Sequence, residues 1–185
     1  ATAEAHVGLL SRVMQRRGLQ ALTYLSSTRV YGRSSEASED AALPCLSSDP
    51  SDLYNLSKLL GEALVLREQR ETFRVVRLSN VVGQGQPETT FLGQLLAEGN
   101  QQGEVRIQQP SDTAKDYVAL ADVVRLLPQI ALRGQRRLYN LASGQNTSHN
   151  EVAQLLRQRG WSVHLPDPAT TVSYTHLRAH ETRED

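Results

Sequence analysis

Residues 49–80 read DPSDLYNLSKLLGEALVLREQRETFRVVRLSN, and this stretch carries the fold class. Asp49-Pro50-Ser51 is a helix-start signal, with Asp49 or Ser51 as the expected cap and Pro50 near the first turn. Apolar residues then recur at helical spacing, so Leu53, Leu56, Leu60, Ala63 and Leu64 are the expected buried stripe. FRVVRLSN (73–80) follows as a near-continuous apolar run, the kind of strand that parallel sheets bury on both faces. A helix leading into a buried strand is half of an α/β unit.

The same rhythm extends in both directions. Upstream, ALTYLSS (21–27) reads as a short buried strand and residues 28–50 as a long polar loop, a length that in a compact domain usually serves function. Before it, Val7, Leu10, Val13 and Met14 mark one helix face, with Gly18 as the stop signal. Downstream, the pattern predicts a helix around 90–99, strands at 104–107 and 115–118, a helix over 121–133 and a strand over 137–143. Ser148-His-Asn-Glu151 is a capping box that opens a further helix ending at Gly160. Alternating strands and helices imply an α/β fold with a parallel sheet.

Composition narrows the function classes. Twenty basic and twenty acidic side chains give a formal net charge of zero, so neither nucleic acid nor an anionic membrane surface is favoured as a partner. No apolar run approaches membrane-spanning length. The single cysteine, Cys45, cannot close an internal disulfide, which fits a reducing, cytoplasmic compartment.

Only two lysines, Lys58 and Lys115, stand against eighteen arginines. Lysine is a compact point charge and arginine a broad fork, so a retained lysine marks a site that needs the ammonium. Lys58 lies four residues after Tyr54, which puts both on one helix face. At about 5 Å and an effective dielectric of about 20, an ammonium favours a phenolate by roughly 3 kcal/mol. That brings a tyrosine toward the range needed for proton transfer at neutral pH. The competing reading is a helix-surface pair, and the pattern alone is a weak signal. Its context strengthens it: LSSTRVYG (25–32) sits where a strand ends and a loop begins, where open α/β sheets face their ligands. A hydroxyl there, from Ser26 or Ser27, could bind the oxygen that Tyr54 deprotonates.

Several landmarks then occur in one order. YLSSTRVYG (24–32) resembles "SSxxVYG", YNLSK (54–58) resembles Tyr-x-x-x-Lys, and RLSNVVGQG (77–85) resembles "RxxNVYGPG". KDYVALADVV (115–124) resembles "RDFVHVDDVA", and YNLASGQNTSHNEVAQLL (139–156) resembles "YNIGSGxxxSxxELA". Together they resemble the extended short-chain dehydrogenases/reductases, the NAD-dependent epimerase/dehydratase family, over about residues 1–160. The resemblance implies the C-terminal part of a Rossmann-like parallel sheet with a small α/β substrate-binding subdomain. Residues 1–86 would be a partial NAD(P)-binding domain, and 87–171 the substrate-binding subdomain interleaved with the last Rossmann elements. It implies Ser27, Tyr54 and Lys58 as the catalytic triad, with Tyr54 as acid/base, Ser27 binding the reacting oxygen, and Lys58 tuning the tyrosine and holding the nicotinamide ribose. Tyr54 would join Lys58 in binding the cofactor, and Ser79 would lie beside the nicotinamide. Asn80 would meet the phosphates or sugar of a nucleotide-sugar substrate, and Lys115 stands where the family usually has a diphosphate-binding arginine. The cofactor would be NAD or NADP and no metal is implied, while a homodimer is compatible with the reading.

Departures from the family pattern shape the expectation further. The Gly-x-x-Gly-x-x-Gly turn is absent, and GQGQP (83–87) lacks its spacing and position. The chain is therefore expected to be truncated at both ends, inactive alone and without tight affinity for NAD. Ala5 stands where the family often has an asparagine, and Thr28-Arg29 where many dehydratases have Asp-Glu. That lowers the dehydratase reading and leaves a sugar-nucleotide epimerase, with a 4-keto reductase, a decarboxylase or a non-catalytic dinucleotide-binding protein as alternatives. VSYTHLRAHET (172–182) matches translated adapter DNA of transposase-based sequencing libraries, so residues 172–185 are read as a cloning or assembly scar. His176 and His180, four apart beside Glu181, would otherwise imitate a metal site.

Overall fold

The computed structural model describes residues 3–166. The adapter-like tail, with His176 and His180, lies outside the described residues. In chain order the elements are a π turn (Glu4–Gly8), α1 (Leu9–Met14), β1 (Leu22–Ser27), a 3₁₀ turn (Thr28–Tyr31), α2 (Asp52–Leu66), β2 (Phe73–Leu78) and β3 (Asn80–Val82). Then follow α3 (Phe91–Gln102), β4 (Glu104–Arg106), β5 (Ala114–Ala119), α4 (Leu120–Arg133), β6 (Leu138–Leu141), β7 (Asn146–Ser148), α5 (His149–Gln158) and β8 (Ser162–His164). The chain divides into two compact units. One is the chain up to Gln86 with Lys115–Asn146, and the other is Pro87–Ala114 with the chain from Thr147.

The first unit is built on a parallel sheet of order β1-β2-β6. Its register runs from Leu22 opposite Phe73 to Ser27 opposite Leu78, and from Val75 opposite Leu138 to Leu78 opposite Leu141. Strand β2 is central, and successive side chains of a strand point to opposite faces. Phe73 and Val75 pack with Leu10, Tyr24 and Val65, from the side of α1 and α2. Val76 packs with Val118, Val123 and Leu141, from the side of α4. The sheet is thus covered on both faces, which is why its central strand reads as one apolar run.

The abundant arginines have a visible use here. Arg74, in β2, donates to Ala131 O at 3.2 Å and Gly134 O at 2.6 Å, capping the end of α4. Arg137 donates to Val65 O, Leu66 O, Glu68 O and Phe73 O at 2.6–3.1 Å, capping α2. One fork reaches several orphan carbonyls at a helix C-terminus, which a lysine could not do with fixed geometry.

Helix α2 departs from the sequence expectation. Leu53, Leu56 and Leu60 are 58%, 37% and 52% exposed. The buried face instead carries Asp52, Asn55, Ser57, Gly61, Glu62 and Val65. The helix is amphipathic in the opposite sense because strand β2 presents Arg77, a buried charge that requires a carboxylate facing it. Gly61 lets the helix lie close to the sheet: a Cβ there would stand 2.4 Å from Tyr24 Oη.

The second unit has its own core of Leu95, Val105, Ile107, Val152, Ala153, Leu156 and Val163. Strands β4 and β8 pair in parallel through Val105 and Val163. Thr90 caps α3 by accepting from Gly93 N at 3.1 Å. That helix outruns its expected end at residue 99 and stops at Gly103, whose φ of +68° glycine adopts without strain. Ser148 and Glu151 form the expected capping box of α5.

Candidate active site

Strands β1, β2 and β6 run in one direction, so their carboxyl ends lie side by side. Ser27 ends β1, Ser79 and Asn80 follow the end of β2, and Ser143 follows β6. This edge is where open α/β sheets bind ligands.

Tyr54 and Lys58 come to the same neighbourhood from α2. The Lys58 ammonium lies 5.7 Å from the centre of the Tyr54 ring. It donates to Leu25 O at 3.0 Å, two residues before Ser27. Burial lowers the Lys58 pKa, against the opposing pull of Glu62. The same ammonium is 5.4 Å from a second ring, Tyr24. Burial, with Glu62 and Tyr54 nearby, pushes Tyr24 up to about 12. Tyr24 is therefore held as a neutral phenol, while Tyr54 is half-buried.

The two serines of LSSTRVYG separate cleanly. Ser26 is buried and donates to Glu62 Oε1 at 2.5 Å, so its hydroxyl is structural. Ser27 accepts from Arg29 N at 3.2 Å, which leaves its own proton to donate elsewhere. Arg29 joins Ser27 to Tyr54, since its guanidinium carbon stands 5.2 Å from the Tyr54 ring centre.

Beneath this sits a buried network. Arg77 binds Glu62 at 2.7 Å and donates to Tyr31 Oη at 2.6 Å, and that phenol donates to Asn140 Oδ1 at 2.9 Å. Burial works against the Arg77 charge, but its bonds to Glu62 and Tyr31 more than offset it and raise its pKa. The network ties β1, the 3₁₀ turn, α2, β2 and β6 together directly behind the serine and the lysine.

A second cluster gathers on Asp116, in β5. Ser79 Oγ and Asn80 Nδ2 both donate to Asp116 O, at 2.7 and 2.9 Å. The Asp116 carboxylate accepts from Ser143 N, Ser143 Oγ and Gln145 N at 2.7–3.1 Å. Burial raises its pKa, yet the hydrogen bonds to the carboxylate, those of Ser143 among them, prevail and lower it. Lys115 precedes Asp116 on β5 and is half-buried. The residues of the sequence reading thus fall into two groups at one sheet edge: Ser27, Tyr54 and Lys58, and Ser79 and Asn80 with Lys115 beside them. Among the described residues there is no group of side chains that could hold a metal ion, and no helix is long and apolar enough to cross a membrane.

The model of the NAD dependent epimerase/dehydratase family matches residues 4–142. The chain belongs to that family. No curated protein sequence matches it. Among solved structures, an NAD-dependent NDP-hexosamine 5,6-dehydratase of tunicamycin biosynthesis superposes with a TM-score of 0.76 at 24% identity, over 90% of this chain and 56% of that one. The UDP-glucuronic acid 4-epimerase of Bacillus cereus, solved with NAD, gives 0.71 at 19% identity over 89% and 53%. The RMD protein of Pseudomonas aeruginosa, solved with NADPH, gives 0.66 at 24% identity over 89% and 59%. These likenesses establish the Rossmann-like fold, and the chain spans a little over half the length of each.

Within this family member, sequence reasoning passed over Glu62, Arg77, Asp116 and His6. Arg77 carried a usable signal, because a charge at an inward position of a buried strand must have a partner. Glu62, four residues after Lys58 on one helix face, was the natural candidate. His6 carried none, since nothing in its local pattern points to a hydroxyl 51 residues away.

Proposed function

We propose that this chain belongs to an NAD(P)-dependent nucleoside-diphosphate-sugar epimerase whose proton chemistry is carried by Ser27, Tyr54 and Lys58. The observation that carries the reading is the Lys58 ammonium, 5.7 Å from the Tyr54 ring centre and hydrogen-bonded to Leu25 O beside Ser27. The donor set suits a nicotinamide ribose. An ammonium has three N–H donors, and Lys58 spends one on Leu25 O, leaving two for a diol. Bound NAD or NADP would supply reversible hydride acceptance. Ser27 donates to the oxygen of the reacting sugar carbon and fixes its position. Tyr54 takes the hydroxyl proton as that carbon is oxidised, and returns it when the keto sugar is reduced from its other face. Lys58 favours the phenolate while Tyr54 waits for a proton.

Thr28 and Arg29 occupy the two positions after Ser27, so no carboxylate stands there to eliminate water; this favours epimerisation over dehydration. Ser79 would lie against the nicotinamide, and Asn80 and Lys115 would bind the substrate's phosphates or sugar. A 4-keto reductase shares every one of these groups and differs in releasing the reduced sugar after one hydride transfer. The exposed leucines of α2 support a homodimer through that face.

Turnover of a nucleoside-diphosphate sugar with NAD by the full-length protein tests the reading. Tyr54→Phe should lower turnover roughly 10²-fold or more with substrate binding little changed. Lys58→Met should move the basic limb of the pH–rate profile upward as the phenolate loses its partner. Near-normal turnover in the first and an unmoved profile in the second would return the pair to a turn of helix surface.

A further inference from the structure

His6 belongs to none of the sequence landmarks, yet it touches the centre of the site. It lies in the π turn Glu4–Gly8, closed by Leu9 N on Glu4 O, a wider turn of a kind that recurs at functional sites. Its Nδ1 is 2.8 Å from Ser57 Oγ. Its ring meets that of Tyr54 edge-on, with centroids 5.2 Å apart and planes at 86°.

The hydrogen bonds assign the tautomer. Ser57 Oγ is 2.7 Å from Tyr54 O, and a serine hydroxyl has a single proton to donate. With that proton on the carbonyl, Ser57 must accept from His6, so a neutral His6 carries its proton on Nδ1 and keeps Nε2 as an acceptor. One imidazole therefore holds Tyr54 twice, by its ring directly and by its carbonyl through Ser57.

The charges around it favour the neutral form. From α2 come Lys58 and, beyond it, Glu62, which is already engaged by Arg77. From the 3₁₀ turn comes Arg29, over the Tyr54 ring. From its own segment come Glu4 and Arg12, paired with each other at 2.6 Å. An imidazolium would be a third cation around one phenol.

We propose that His6 is a positioning residue of this site, a neutral imidazole that braces Tyr54 and loosens its hold on protonation. The inference rests on the reading of Tyr54 as the proton acceptor. Burial, then Lys58, holds the His6 pKa below its ordinary value. The unfolded chain therefore binds more protons below about pH 6.5, and stability falls as pH drops from there towards the folded pKa.

Long-range proton–nitrogen NMR of the 185-residue chain reads the tautomer. The expected result is Nδ1–H in the wild type, with that preference lost in Ser57→Ala. The Tyr54 ring resonances should show an inflection below about pH 6.5 that tracks His6. The inflection should vanish in His6→Asn, whose amide can donate to Ser57 but does not titrate. In the full-length protein, His6→Phe should lower kcat roughly tenfold with little change in KM, since a misplaced group costs turnover. His6→Asn should restore most of that loss and flatten the acid limb. An Nε2–H tautomer in the wild type, or Tyr54 resonances blind to His6, would overturn the proposal. Normal turnover in Tyr54→Phe would overturn the catalytic reading and leave the tautomer result standing, so the two failures are distinguishable.

Discussion

Helices α2 and α5 are both leucine-containing amphipathic helices packed against a strand, and they turn faces of opposite character inward. In α5 the inward residues are His149, Val152, Ala153 and Leu156. In α2 they are mostly polar, Asp52, Asn55, Ser57 and Glu62 among them, while Leu53, Leu56 and Leu60 face outward. The difference follows from what each neighbouring strand asks for. Strand β8 offers α5 the apolar Val163. Strand β2 offers α2 the guanidinium of Arg77, and burying an unpaired charge costs more than exposing three leucines. The helix that carries Tyr54 and Lys58 is the one that gives up hydrophobic burial, which is where departures from local rules are expected.

Removing the charge that sets the α2 orientation should have the largest effect. Arg77→Met leaves Glu62 buried without its partner and should destabilise the first unit by about 3–5 kcal/mol in urea denaturation. Adding Glu62→Leu should recover much of that loss, because an apolar pair of similar volume replaces a buried ion pair at little cost. A loss within about 0.5 kcal/mol for Arg77→Met would mean that the pair does not decide how α2 sits.

The legibility of the sequence divides along the same line. Strand β2, the capping box at Ser148 and the pairing of Tyr54 with Lys58 follow from period and spacing alone, and the structure has each of them. The inward face of α2 does not. A helix with leucines on one side and Asp52, Asn55 and Glu62 on the other has the same period whichever side is buried. The tie is broken by Arg77, a residue of a different element. Position in the chain leaves Ser26 and Ser27 open and the family resemblance implies Ser27; that the Ser26 hydroxyl is already engaged shows only through Glu62. What stayed hidden were the long-range polar contacts, and these are the ones that build the site.

A smaller effect probes the conventional helix. Ser148 accepts from Glu151 N at 3.2 Å and Glu151 closes the box on Ser148 N at 2.7 Å. Ser148→Ala should cost about 1 kcal/mol of stability. Because α5 belongs to the second unit, thermal unfolding followed by Trp161 fluorescence should report the loss there. No measurable change would show that α5 is held by its apolar face alone.

The smallest expected change in folding sharpens the comparison most, because it separates two meanings of an exposed leucine. Leu60 is 52% exposed, so Leu60→Gln should shift unfolding of the monomer by no more than about 0.5 kcal/mol. If the same face meets a second copy, the substitution removes apolar area from an interface. A leucine buried there contributes about 1.5–3 kcal/mol, equivalent to roughly tenfold or more in dimer affinity. Sedimentation velocity across a concentration series reads that second quantity, and urea denaturation at low concentration reads the first. Little change in folding with a weakened dimer fits an α2 that turns its leucines outward to another subunit. A folding loss of about 2–5 kcal/mol, the range for a core leucine, would instead put Leu60 inside the sheet packing and reverse the orientation of α2.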